Sequence, residues 1–344
     1  DRTPKAEANN IRLAIKPFLE IFGHTEAAKF SPLKLEAFQD LVAKRGDWCR
    51  NHINHQMSRI KAMFKWAVRR ELILETVYRA LLTVPGLQLG ATDARESDPV
   101  SPVSDQVIDA TLPHCSPTIR AMIQVQRWTG ARPGEICSMR IGQIDRSRPT
   151  WTYSPPHHKT LHHGHARKIF IGQRSQDALA PFLMRLDPLA FVFSPAEAEL
   201  QRRAALHEKR QTPASHGNRP GSNVKAQPRR RPGNRYTVAT YRRAIARACA
   251  VAFQPAPPLA RRDGESVRAW KQRLTPAERQ ELKAFNRQHR WHPHQLRHTA
   301  ATEIRRQFGI EAAQHVLGHA QINMTELYAE KNAEIAEGIA RAIG

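Results

Sequence analysis

Cysteine and tyrosine are scarce in this chain, and carboxylates are outnumbered. The four cysteines, Cys49, Cys115, Cys137 and Cys249, lie far apart among 344 residues with no CxxC pair. That spacing argues against a disulfide framework and a cysteine zinc site, and a reducing cytoplasm is the expected compartment. No apolar run approaches the roughly 18 residues that a membrane span needs. No signal peptide is visible, so no membrane association is expected. The chain starts at Asp1 rather than Met, which leaves room for a further N-terminal arm.

Acidic residues are the next shortage: 31 Asp and Glu face 54 Lys and Arg, a net charge of +23. An excess of that size implies a polyanionic partner, and DNA or RNA outranks a membrane surface. Length suggests two domains, and an apolar fraction of 40% fits globular folds with polar, loop-rich stretches.

Residues 5–84 read as helical, and 1–84 as a first domain. Its clearest helix contains NHINHQMSRIKAMFKWAVRRELI, where Ile53, Met57, Ile60, Phe64 and Val68 recur every three or four residues. Arg59, Lys61, Lys65, Arg69 and Arg70 occupy the other face, which we read as a DNA-backbone surface. Residues 85–102 lose periodicity and collect Gly, Pro, Ser and Asp, the pattern of a linker. From 103 to 344 a second domain is expected. In it Ser104 and Asp105 open a helix, another ends at TGARPGEI, and 150–172 forms a hairpin with Lys159 at its crest.

Between Arg202 and Arg235 there are ten Lys and Arg against one Glu, with Pro, Gly, Ser and Asn between them. The segment 195–235 therefore reads as a flexible basic insert, with Arg229, Arg230 and Arg231 as DNA contacts. In the helix that follows, Val238, Tyr241, Ile245 and Ala248 share a face, and Arg242 and Arg243 are further DNA-contact candidates. A second extra segment, 254–290, includes a helix capped by Thr275, with Pro276 and Glu278 behind it. The fold class is thus mainly α with a small β-hairpin.

Four islands carry unusual polar residues. In TGARPGEI, Pro133 favours the first helical position, so Arg132 falls at a helix N-terminus, where free amides favour anions. In HPHQLRHTAATEIRRQFG, Leu296, Ala300, Ile304 and Phe308 define a helix from near Pro293 to Gly309, with His294 and Arg297 on one face of its first turn. The hairpin supplies Lys159 among His157, His158, His162, His163 and His165. VLGHAQINMTELYAE places His319 nine residues before Tyr328, one of only five tyrosines. Taken together, Arg132, Lys159, His294, Arg297, His319 and Tyr328 are cations, proton carriers and one nucleophile, a set suited to attack on a phosphodiester. No HExxH and no carboxylate cluster for Mg²⁺ accompanies them, so neither metal nor other cofactor is expected. The hairpin histidines keep a metal-binding reading open.

The ordered islands TGARPGE, HKT, HPHQLRHT and LGH followed by Tyr328 resemble the tyrosine recombinase, or phage integrase, family. The likeness covers most of 103–330, and more weakly the helical N-terminal region, which is similar to that family's core-binding domain. The resemblance implies a site-specific recombinase of a mobile element that cleaves and rejoins DNA through a 3′-phosphotyrosine, without metal or ATP. It implies that Tyr328 is the nucleophile and that Arg132 and Arg297 brace the phosphate. Lys159 would protonate the leaving 5′ oxygen, His294 would handle the phenol proton, His319 would bond the phosphate and Glu135 would orient Arg132. Double-stranded recombination sites are the implied partner, bound by a homotetramer that is monomeric when free. Two other readings remain: DNA relaxation of the type IB topoisomerase kind, and a non-catalytic DNA-binding regulator built on TEIRRQFGIEAAQHVLGH.

Overall fold

The computed structural model describes residues 4–156, 167–211 and 231–318. The chain divides into two compact units, Asp1–Pro99 and Val100–Gly344.

The first unit is helical: α1 (Pro4–Phe22), α2 (Pro32–Lys44), α3 (Arg50–Arg69) and α4 (Glu75–Leu82). The apolar stripe of α3 faces inward as its spacing requires, with Ile53, Met57, Ile60 and Phe64 buried and Val68 at the margin. A phenylalanine cluster fills the centre. Phe18 meets Phe30 and Phe38 edge-on at 5.1 and 5.4 Å, and Phe30 stacks on Phe64 at 5.1 Å. Each such pair contributes about 0.5–1.5 kcal/mol beyond its buried area.

Much of the stretch expected to link the domains is held against α3. Asn54 donates to the Leu87 carbonyl at 3.0 Å and accepts from the Leu87 amide at 2.8 Å. Farther along, the Arg50 amide donates to the Arg95 carbonyl, Arg50 pairs with Glu96 at 2.6 Å, and Ala94 is buried in the first core. Low periodicity hid this because the segment docks through backbone groups, one ion pair and isolated apolar residues rather than through a regular apolar face.

The second unit begins with α5 (Asp105–Thr111), opened by Ser104 accepting from the Val107 amide as its sequence requires. Then come α6 (Pro117–Thr129), α7 (Pro133–Ser138), β1 (Ile144–Asp145), β2 (Trp151–Tyr153) and β3 (Ile169–Ile171). The three strands form an antiparallel sheet in the order β1-β2-β3, with Trp151 opposite Ile171 and Tyr153 opposite Ile169, so the expected hairpin is present. The chain continues through α8 (Gln173–Leu179), α9 (Pro195–Glu208), α10 (Val238–Ala252), α11 (Val267–Arg273), α12 (Pro276–His289) and α13 (Pro293–Leu317). Helix α6 is the spine of this unit: Ile119, Met122, Ile123, Val125 and Gln126 are buried, with α8 and α13 packed against it. On α10, Tyr241, Ile245 and Ala248 face the core, while Val238 at the helix start is exposed.

The expectation of a loop throughout 195–235 is corrected at its start, where α9 occupies Pro195–Glu208. Ser194 caps it and Glu199 pairs with Arg202 and Arg203, yet none of its residues is buried. It stands on local propensity and i,i+4 pairing, signals that a count of charges overlooks. In the second extra segment, Thr275 and Glu278 exchange the expected capping bonds at 3.2 and 2.7 Å.

Helix α13 is two helical pieces meeting at Gly309 (φ 86°, ψ 174°), the residue expected to stop it. The predicted stripe is buried only in the first piece. Leu296 and Ala300 are core, Ile304 is half-buried, and Phe308 is 70% exposed.

Candidate active site

Arg132 sits where its proline neighbour requires, as the N-cap of α7 in extended conformation. Glu135, one turn on, is 4% exposed and reaches back to it twice. The Arg132 amide donates to Oε2 at 2.7 Å, and Arg132 Nη1 donates to Oε1 at 3.0 Å. A surface ion pair would contribute little, but a buried carboxylate receiving both bonds fixes the direction of the guanidinium.

Arg297 comes from the first turn of α13 and is 1% exposed. Its Nη1 donates to the Gly130 carbonyl at 2.7 Å and its Nη2 to the Leu317 carbonyl at 2.8 Å. Gln126 adds a third tie, donating to the carbonyls of Pro293 and Ala131. Gly130 in the first motif and the far end of α13 are therefore held by one guanidinium, and Gln126 ties the same motif to the start of α13.

His294, half-buried, is close enough to both arginines for their charges to act on it. Its pKa lies below the ordinary 6.5, through burial first and then the positive fields of Arg297, His292 and Arg132. The ring is thus neutral near pH 7 and able to accept a proton. Folding disfavours protonation here, so the neutral ring's contribution to stability is complete above pH 6.5 and is lost as pH falls through the folded value. A proton NMR titration of the free protein is expected to place the His294 midpoint below 6.5, and a midpoint at or above 6.5 would contradict the site's electrostatics.

The structure therefore groups Arg132, Glu135, His294 and Arg297. Lys159, His319 and Tyr328 lie outside the described residues, as do the hairpin histidines, Arg229 and Arg230. Among the described residues no group of three His, Cys, Asp or Glu could hold a metal ion, and no helix is long and apolar enough to cross a membrane.

Sequence reasoning overlooked Arg167, which is 7% exposed and joins this cluster from the strand side. Its signal was parity. Ile169 and Ile171 point into the core and Lys168 and Phe170 out of it, so residue 167 belongs to the inward face.

The DNA-contact candidates separate into two kinds. Arg59 is tied to Glu7 at 3.1 Å, and Lys61 donates to the Val84 carbonyl at 2.6 Å, its pKa lowered by burial. Lys65, Arg69, Arg231, Arg242 and Arg243 are exposed. Lys65→Ala is accordingly expected to lower the salt slope of DNA binding by about 1, the value of one neutralised phosphate. Arg59→Ala is expected to act chiefly on thermal stability, because it removes the Glu7 pair. Salt titrations and melting curves of the two variants check this division.

Residues 262–334 match the family model described as "Phage integrase family". No curated protein sequence matches the chain. Among solved structures, the Tn1549 transposon integrase bound to a circular intermediate DNA is similar at a TM-score of 0.56 and 15% identity, over 97% of this chain and 94% of that one. A lambda integrase dimer bound to a COC′ core site gives 0.56 at 13%, over 94% and 91%. The XerH recombinase bound to difH in a pre-cleavage complex gives 0.53 at 13%, over 96% and 78%. At such identities the likeness establishes a shared fold, a mostly helical chain with a small antiparallel sheet. The family match falls across α13 and the segment that contains Tyr328, and the fold of the chain is similar to that of solved integrases and a site-specific recombinase.

Proposed function

We propose that this protein is a site-specific DNA recombinase that cleaves and rejoins strands through a phosphotyrosine at Tyr328. The observation that carries this reading is the convergence of Arg132, held by buried Glu135, with Arg297 and a neutral His294. Two guanidiniums whose charges both act on one proton acceptor suit a phosphodiester in displacement, where charge builds on the non-bridging oxygens.

The reaction balances with these groups. The Tyr328 oxygen attacks phosphorus and its proton passes to the His294 imidazole. A bond forms between the phenol oxygen and the 3′ phosphate while the bond to the 5′ oxygen breaks, and Lys159 protonates that leaving oxygen. Rejoining runs the same steps backwards with a partner strand's 5′ hydroxyl. One phosphodiester is exchanged for another, so no nucleotide is consumed. The family pattern extends this to four protomers on paired duplex sites, acting on the DNA of a mobile element.

The test is covalent trapping. A nicked duplex copied from the DNA flanking the gene is expected to yield, in EDTA, a protein–DNA adduct whose peptide maps to Tyr328. Supercoil relaxation with no exchange between two duplex sites would favour the topoisomerase reading. Binding without any adduct would favour the regulator. Deleting 212–230, which contains Arg229 and Arg230 and leaves α9 intact, is expected to weaken binding and flatten its salt dependence by about 0.9 for each phosphate that is no longer neutralised. An unchanged slope would remove that segment from the interface.

A further inference from the structure

Arg167 lies two residues before β3 and is buried in the same alternation as Ile169 and Ile171, so a guanidinium enters an otherwise apolar row. Placing a guanidinium there is costly unless it is paired. Its partners explain the position. Nε lies 3.8 Å from Oε1 of Glu135, the same oxygen that receives Arg132 Nη1 at 3.0 Å. Nη1 donates to the Val316 carbonyl at 3.0 Å. Val316 is in the last turn of α13, where carbonyls lack helical partners and the helix dipole favours a cation. The next carbonyl, Leu317, is held by Arg297. Two guanidiniums thus take two consecutive carbonyls immediately before the chain proceeds to His319 and Tyr328.

The fit at this end is close. Gly318 closes α13 at φ 64°, and a Cβ added to it would collide with the Arg167 guanidinium. Nε and Nη2 of Arg167 are both buried with no hydrogen-bond partner among the described residues, so Nε meets Glu135 as an ion pair at 3.8 Å and not as a hydrogen bond. Burial presses the Arg167 pKa downward, Glu135 opposes this and Arg132 adds to it, so this arginine shares the field of the first catalytic motif.

We propose that Arg167 is a positioning residue for strand cleavage. It spans from the Glu135 carboxylate, which aims Arg132 at the phosphate, to the end of α13, and so fixes the direction in which the chain leaves Gly318 toward the nucleophile. The proposal rests on Tyr328 being that nucleophile. A lysine keeps the charge but is a single point without a fork, so it cannot hold Glu135 and Val316 together.

The experiment compares wild type, Arg167→Lys, Gly318→Ala and the double variant. All are measured in single-turnover adduct formation on the nicked duplex at saturating protein, with active molecules counted by adduct end-point. Arg167→Lys is expected to bind DNA within about twofold of wild type and to slow adduct formation about 10–100-fold per active molecule, as a misplacement near 1 Å does. Gly318→Ala is expected to slow it as well, and the double variant to be less impaired than the product of the two single effects, because the collision is gone. A wild-type rate per active molecule in Arg167→Lys, with only the melting temperature or active fraction reduced, would make Arg167 structural and overturn the proposal. So would strictly multiplicative effects in the double variant. Failure of the wild-type protein to form an adduct would instead overturn the assignment of Tyr328, so the two failures are separable.

Discussion

Replacing Tyr328 by phenylalanine is expected to abolish the covalent adduct while DNA binding persists. Losing one phenol hydrogen bond removes about 0.5–1.5 kcal/mol, at most about tenfold in Kd. If Tyr328 supplies the attacking oxygen, as proposed, its loss removes the reaction itself, so adduct should fall below detection. The other four tyrosines offer no substitute. Tyr153 and Tyr241 are fully buried with pKa values pushed up by that burial, and the Tyr153 hydroxyl donates to the Glu135 carbonyl at 3.1 Å. Tyr236 is pushed up to about 12, through burial first and then Cys137, and Tyr78 packs on the first unit's core. Gel assays of adduct and of non-covalent complex on the same nicked duplex measure both halves. An adduct that survives Tyr328→Phe would end the assignment.

Arg297→Ala is expected to have the second-largest effect, on two observables at once. It strips hydrogen bonds from the Gly130 and Leu317 carbonyls, at about 1–3 kcal/mol for each buried acceptor left unsatisfied. On the proposed reading it also removes a cation that braces the phosphate, at about 10²–10³-fold in the chemical step for one transition-state donor. Arg297→Lys separates the two. It keeps a charge and can reach one carbonyl, so its melting temperature should fall less than that of the alanine variant. Its cleavage rate should still fall by about 100-fold or more, because an ammonium cannot replace a bidentate fork. Calorimetry beside single-turnover cleavage checks this. A lysine variant with full cleavage would remove Arg297 from the phosphate site.

The parts legible in the sequence were those governed by local rules. Pro133 after Arg132, Glu135 at the third helical position, the stripe of α3 and the stop at Gly309 all follow from capping, periodicity and backbone freedom. They place Arg132 and His294–Arg297 at helix starts without knowledge of the tertiary fold. What escaped was long-range or weakly patterned. Arg167 is 149 residues from the carbonyl it holds, and Arg50 is 45 from the Arg95 carbonyl that its amide reaches. No periodicity encodes such pairings; only the parity of β3 hinted at the first. Helix α9 was hidden for the opposite reason, since it buries nothing and carries no apolar stripe.

Gly309 stands in open space, with no atom within 4 Å of where a Cβ would lie, yet its backbone occupies a torsional region that L-residues shun. Volume therefore exerts no selection at this bend; dihedral angle alone does. An alanine there would fit its surroundings and still push the backbone towards a straighter rod, swinging the last eight residues of α13 on a lever anchored at Arg297. The bend between the two pieces is thus written in one pair of torsions, while the Arg297 and Arg167 bonds to the Leu317 and Val316 carbonyls hold the far end where that bend delivers it.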